Sequence, residues 1–218
     1  MSVTRPLSIA LALAALGCAG GAPSSPAVEA PTAPTPPDAT APKPSEPTMP
    51  GAFTPADPEL AAFLKGVPPL VLPAEFPPNK AARAEVMKRK VSAAHAARFV
   101  CGSKFFTCKL EEERQEAFAI GQVPVSASAV AVVVLLVGEV DSPVGLVTLS
   151  PKGEILGGHI VGGDIGDFDH GFSGQLAADG VSLAVNRYVW VGGEEKEYVK
   201  DFNFKLRPNG DLELVVNP

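Results

Sequence analysis

The chain has 218 residues, a formal net charge of −6 at pH 7 and a sequence pI of about 5.1. This acidic balance excludes nucleic acid as the main partner, because phosphate binding needs a net basic face. The sequence contains three cysteines and 23 prolines, and their placement divides the chain into three parts.

The first part is an apolar run that ends in a cysteine. Arg5 precedes the run Leu7–Cys18, which reads LSIALALAALGC. A positive start, about ten apolar residues and a junction of small residues are typical of a secretory signal. The run is shorter than the roughly twenty apolar residues that a membrane-spanning helix needs. The pattern therefore predicts export from the cytoplasm.

The junction Ala15-Leu16-Gly17-Cys18 resembles the lipobox of bacterial lipoproteins. The resemblance implies that residues 1–18 hold the signal peptide and that Cys18 carries a lipid anchor. Ala19 follows the cysteine, which in this family implies the outer membrane, facing the periplasm. An ordinary signal peptide with a chance cysteine is the alternative.

The second part, residues 19–58, is rich in proline and alanine, with twelve of the 23 prolines. Proline removes backbone donors and favours extended conformations, so this composition builds no core. The sequence predicts a disordered tether that reaches about 100 Å at most, at about 3.1 Å per residue. A low-complexity segment whose length has no consequence is an equally open interpretation.

The third part, residues 59–218, is long enough for one domain with a core. We expect a mainly β fold with one packed helix (α+β). The strands, between about 123 and 216, form an antiparallel meander of about seven strands built from successive hairpins.

Before the strands, the chain has one helical turn and one proline-rich strap. Glu59–Leu64 predicts the turn, and residues 67–78 (VPPLVLPAEFPP) predict an extended apolar strap. Asn79 is a suitable N-cap for a helix over about 80–100. Its predicted sheet-facing side is Ala84, Met87, Val91 and Ala94.

The most informative strand signals are an apolar run and a repeated turn. Residues 129–137 (AVAVVVLLV) predict a strand that is buried on both faces. A unit of Leu, three residues and Gly then occurs three times, at Leu149–Gly153, Leu176–Gly180 and Leu206–Gly210. Glycine supplies the positive φ of a tight turn, so each unit predicts a hairpin.

Cys101 and Cys108 lie seven positions apart, and outside the cytoplasm this pair predicts a disulfide. Two free buried thiols and half of a metal site are the alternatives. The residues between them, such as Lys104 and Thr107, offer no further metal ligands.

Asp164, Asp167 and Asp169 are interleaved with glycine in the sequence GGDIGDFDHG. Three carboxylates at this spacing suit a hard cation, and Ca²⁺ is the cofactor hypothesis. The alternative is a solvated acidic turn between two hairpins, in which turn chemistry alone favours Asp and Gly.

No sequence motif supports an enzyme. Gly171–Gln175 (GFSGQ) lacks the final glycine of a nucleophile elbow and lies among predicted antiparallel strands. Tyr188, Trp190 and Tyr198 are candidates for a binding surface if they lie on the solvent side of their strands. The alternative is that they cover the second face of the sheet.

These observations predict a lipid-anchored protein of the cell envelope with a non-catalytic structural or interaction domain. Its expected partners are the membrane, through Cys18, and another envelope protein. A Ca²⁺-binding domain is the alternative.

Overall fold

The structure, a computed structural model, describes residues 52–102, 108, 115–139, 141–165, 170–191 and 195–216. For residues 165, 190, 191 and 195–198 it describes the backbone alone. All of these residues belong to one compact unit, Glu46–Pro218.

Nine strands and three short helices lie within the described residues. The strands are β1 (Ala74–Phe76), β2 (Glu116–Ser126), β3 (Ala129–Val137), β4 (Val144–Leu149), β5 (Ile155–Ile165), β6 (His170–Leu176), β7 (Ser182–Val191), β8 (Glu195–Leu206) and β9 (Leu212–Val215). The helices are α1 (Pro58–Lys65), α2 (Lys80–Val86) and α3 (Ala93–Phe99). Strands β2 to β9 follow one another in a single antiparallel order, so the predicted meander is confirmed. The described residues form more strands and helices than the predicted seven strands and one helix.

Strand β5 divides the sheet because it bends between two neighbours. Residues 155–162 pair with β4, and residues 163–165 pair with β6. At the bend, Gly163 has a φ of 84°, a conformation that favours glycine. We call β2–β4 with residues 155–162 half-sheet A, and residues 163–165 with β6–β9 half-sheet B.

Half-sheet A is covered on both faces, and strand β3 shows this. The odd-numbered residues of β3, such as Val133 and Leu135, join the core between the half-sheets. Its even-numbered residues, such as Val132 and Val134, join a second core with α1 and α3. Residues alternate across a strand, so this pattern confirms that β3 is buried on both faces. The side of half-sheet B that faces half-sheet A is its inner face, and the other side is its outer face.

The helical turn predicted at 59–64 is confirmed within α1. Asp57 caps the helix, because its Oδ1 accepts a hydrogen bond from the Glu59 N–H at 2.7 Å. The helix buries Leu60, Phe63 and Leu64. His95 of α3 packs with its ring centroid 5.8 Å from that of Phe63.

The single helix predicted over 80–100 is wrong, although its cap is right. Asn79 Oδ1 accepts a hydrogen bond from the Ala82 N–H at 3.0 Å, but α2 ends at Val86. Residues 89–91 instead pair with the edge of β2, where the Val91 N–H donates to the Ala117 carbonyl at 2.8 Å. Ser92 then caps α3. Residues 89–91 form backbone hydrogen bonds with the edge of β2. A continuous helix would leave those backbone groups of β2 without partners.

The predicted sheet-facing side of that helix is also wrong. Of its four residues only Val91 is buried, and Val91 lies between the helices. Ala84, Met87 and Ala94 are exposed. The break after Val86 changes the helical phase, so each short helix buries its own residues: Val86 in α2, and Ala96 and Phe99 in α3.

The strap at 67–78 is extended, as predicted, and the structure shows that it joins the two half-sheets. The Leu70 N–H donates to the Gln122 carbonyl at 2.9 Å, and the Gln122 N–H donates to the Pro68 carbonyl at 2.8 Å. Strand β1 then pairs with β6 in half-sheet B. The strap and residues 89–91 together cover the β2 edge.

The three predicted turns are confirmed at Gly153, Gly180 and Gly210. Their φ angles are 79°, 69° and 90°. In each turn the glycine N–H donates to the carbonyl of the residue three positions earlier, at 2.8 to 3.0 Å. These turns make the hairpins β4–β5, β6–β7 and β8–β9.

Cys101 and Cys108 are joined by a disulfide, with their Cα atoms 5.2 Å apart. Both half-buried cysteines pack against the core formed with α1 and α3. The bond holds the chain after α3 against this core.

Candidate functional site

The acidic cluster predicted as a Ca²⁺ site is only partly described. Asp164 is the next-to-last residue of β5 and is half-buried. Asp167 and Asp169 lie outside the described residues. Among the residues whose side chains the structure describes, no group of three or more His, Cys, Asp or Glu could hold a metal ion.

Asp164 is held by a tyrosine on a strand two positions away in the sheet. Backbone register aligns Asp164 of β5 with Gly171 of β6 and Gly171 with Tyr188 of β7. The Tyr188 hydroxyl donates to Asp164 Oδ1 at 3.2 Å. A Cβ atom on Gly171 would collide with the Tyr188 ring, so the ring crosses the intervening strand where a side chain is missing. The glycine therefore makes the Tyr188–Asp164 contact possible.

This environment raises the pKa of Tyr188 to about 12. Partial burial is the largest cause, because it disfavours the charged phenolate. The negative charge of Asp164 and the hydrogen bond to it act in the same direction. The phenol therefore remains a hydrogen-bond donor at neutral pH.

The candidate aromatic surface lies on neighbouring strands. Register pairs Tyr188 with Tyr198 and Trp190 with Lys196. Tyr188 is half-buried, and its ring lies over Gly171 on the outer face of half-sheet B. The side chains of Trp190 and Tyr198 lie outside the description.

The outer face of half-sheet B continues beyond Tyr188 as a polar surface that the sequence analysis missed. One row across β6, β7, β8 and β9 is Gln175, Ala184, Asn203 and Val215. A shallow depression of 370 Å³ lies over this row. The next row is Ser173, Asn186 and Asp201. One sequence pattern could have indicated this surface. Small or polar residues at 182, 184 and 186 alternate with Leu183 and Val185, as in a strand with one solvent-facing side.

A larger groove of 610 Å³ lies between the strap and α2. Apolar side chains of Pro69, Phe76 and Ile120 line it, and Glu85 and Arg89 add opposite charges. Lys88 donates a hydrogen bond to Glu85 at 2.7 Å and lowers the pKa of that carboxyl. The run of prolines predicted the strap, but only tertiary packing creates the groove.

The residues that resembled a nucleophile elbow do not form one. Gly171–Gln175 lies inside β6, an antiparallel strand followed by the β6–β7 hairpin. Register places His170 opposite Val189. His159 lies elsewhere, with its ring centroid 4.5 Å from that of Phe204.

None of the helices in the described ranges is long and apolar enough to cross a membrane. Comparison with protein-family models, curated proteins and solved structures finds no match to this chain.

Proposed function

We propose that this chain is a lipid-anchored protein of the bacterial cell envelope whose β domain is a non-catalytic interaction module. The lipobox-like residues ending at Cys18 support the anchor, and the proline-rich composition of residues 19–58 supports a tether. The last of these residues belong to the domain, because Asp57 caps α1 and Pro58 begins it. In this proposal the mature protein sits on the outer membrane and faces the periplasm.

The observation that carries the interaction role is the difference between the two half-sheets. Half-sheet A is covered on one face by helices and on the other by half-sheet B. Over the described residues, the outer face of half-sheet B carries no such layer, and Gln175, Asn186 and Asp201 are exposed on it. Exposed amide and carboxylate groups on a sheet face suit hydrogen bonding to another surface.

Site-specific photo-crosslinking in the native cell tests this role. A photoreactive residue at Ala184, on the outer face, should give a discrete adduct with an envelope partner. The same residue at Ala61, exposed on α1, is the matched control and should give none. Asn186→Arg, which places a long charged side chain in the neighbouring row, should abolish the Ala184 adduct. Equal adducts from both positions, or none from either, would refute the proposed surface.

Ca²⁺ binding by Asp164, Asp167 and Asp169 is a second candidate role. The observation in its favour is that Tyr188 already orients the Asp164 carboxylate at the end of β5. The full chain should then melt at a higher temperature in millimolar Ca²⁺ than with a chelator. Asp167→Asn should remove this shift, whereas Asp201→Asn, at an exposed position on β8, should keep it. Identical melts of the wild type with and without Ca²⁺ rule out the site.

A further inference from the structure

A row of large side chains crosses the inner face of half-sheet B beyond its apolar core. Register aligns Phe172 of β6 with Arg187 of β7, and Arg187 with Lys200 of β8. Val185 and Phe202 pair in the adjacent row on this face, two positions along β7 and β8 from Arg187 and Lys200. Val185 belongs to the core, and Phe202 packs against it. Paired residues share a face, and so do residues two apart in a strand. Arg187 and Lys200 are therefore neighbours on the inner face.

Two positive charges at directly opposed positions repel each other and destabilise a sheet. No carboxylate described in the structure forms an ion pair with Arg187 or Lys200, although five other cation–carboxylate contacts occur among the described residues. The Nε atom of Arg187 is buried and has no hydrogen-bond partner among the described atoms. A buried donor without a partner costs free energy, and such exceptions in native proteins call for a physical explanation.

Arg187 is half-buried, Lys200 is exposed, and aromatic rings lie beside them. The Lys200 ammonium lies 5.1 Å from the centre of the Phe202 ring. Phe172 and Phe202 both pack against the core between the half-sheets. At the β5 end of the row the paired residue is Gly163, and the backbone of Ser142 and Pro143 occupies the place of its missing side chain. Partial burial strengthens the attraction of Arg187 for an anion, and the exposed Lys200 leaves the pair open to a ligand from solvent.

We propose that Arg187 and Lys200 form a binding site for a phosphate group. Two adjacent positive charges match the charge of about −1.5 to −2 that a phosphate monoester carries at pH 7. The planar arginine fork donates in parallel to two phosphate oxygens, and lysine adds a point charge. A bound phosphate accepts hydrogen bonds from the terminal nitrogens of Arg187 and from the Lys200 ammonium, and it relieves the repulsion between the two cations. This site lies on the opposite face of half-sheet B from the proposed interaction surface and does not depend on it.

Titration of the full chain with inorganic phosphate, against chloride at equal ionic strength, tests the site. Phosphate at one hundred times its dissociation constant should raise the melting temperature on the order of 5–10 °C. Lys200→Gln and Arg187→Gln should each weaken phosphate affinity at least roughly tenfold. Lys205→Gln is the matched control, because Lys205 is exposed on the same strand but lies five residues further along it, on the outer face. It should bind phosphate like the wild type.

Lys200→Gln also has an expected effect without any anion. Removal of one of two opposed charges should leave the melting temperature in chloride unchanged or raised, so a loss of phosphate binding is then not a loss of folding. No phosphate-dependent shift in the wild type, or equal losses in Lys200→Gln and Lys205→Gln, overturns the proposal.

A second arm identifies the source of the phosphate group. The full chain with Cys18→Ser, which cannot carry the lipid, is mixed with vesicles of phosphatidic acid or of phosphatidylcholine. Binding to phosphatidic acid that Lys200→Gln abolishes indicates a lipid headgroup. Binding of inorganic phosphate without vesicle binding indicates a soluble phosphate compound. Binding of neither probe contradicts the site.

Discussion

At the scale of single residues, one missing side chain organises the contact between β5 and β7. Gly171 lies between Asp164 and Tyr188 in the sheet, and the tyrosine ring occupies the space above it. The sequence showed Asp164 and Tyr188 as members of two separate candidate sites. Only the register of β5, β6 and β7 brings them together, and register depends on tertiary pairing that a single sequence does not display.

Gly171→Ala should destabilise the protein by about 1–3 kcal/mol, because the new methyl group overlaps the Tyr188 ring. Gly66→Ala is the matched control. Gly66 has a φ of −84°, and the nearest atom to an added Cβ is 3.4 Å away, so its effect should stay within about 1 kcal/mol. Urea unfolding of both variants measures the difference. Equal stabilities would mean that the ring does not lie over Gly171.

Because the pKa of Tyr188 is raised, we expect the stability of the protein to fall at alkaline pH. Its folded pKa of about 12 lies above the ordinary value of 10.0. A raised pKa in a group that is neutral when protonated contributes stability below pH 10, and this contribution is lost as pH rises through 12. Tyr188→Phe should remove this component of the pH profile, and Asp164→Asn should lower the Tyr188 pKa. Tyrosinate absorbance against pH measures the titration, and a Tyr188 titration near 10.0 contradicts the account.

At the scale of elements, the sequence correctly predicts those features that depend only on residues close together in the chain. Gly153, Gly180 and Gly210 all adopt positive φ, because each turn needs that conformation and glycine adopts it without strain. The Asn79 cap was predicted correctly for a similar reason. The helix over 80–100 was not, because residues 89–91 pair with a strand that lies some thirty positions later in the chain. Helical spacing cannot reveal that competition.

Because β3 is buried on both faces, we expect substitutions on either face to lower the free energy of unfolding by the same amount. Val133→Ala opens a cavity between the half-sheets, and Val134→Ala opens one against the helices. Each should lower the free energy of unfolding by about 2 kcal/mol, through lost burial and a residual cavity. Val199→Ala, at a position that is 47% exposed, should change it by less than about 0.5 kcal/mol. Sensitivity at only one of the two buried positions would mean that β3 is covered on one face alone.

At the scale of the whole molecule, the sequence predicted the broad class of fold but not the layers. An antiparallel meander follows from the hairpin signals, whereas the bend in β5 separates it into two facing half-sheets. Gly162 and Gly163 at the bend appeared in the sequence only as part of a glycine-rich acidic loop. The outer face, which no described residue covers, and the paired cations of the inner face both arise from that bend and from the register of β6, β7 and β8.

The central claim is the proposal that this module is tethered to a membrane by a lipid on Cys18, with the proline-rich residues before Asp57 between anchor and domain. Cys18 lies far in sequence from every described strand and helix. A change at Cys18 should therefore alter the location of the protein without altering its stability.

Mass spectrometry of the N-terminal peptide from the mature protein tests this claim most directly. We expect a chain that begins at Cys18 and carries the mass of attached acyl chains, and that fractionates with the outer membrane. Cys18→Ser should lose both the added mass and the membrane association while its thermal melt stays unchanged. An unmodified Cys18 in the mature wild-type protein, or membrane association that persists in Cys18→Ser, would contradict the account.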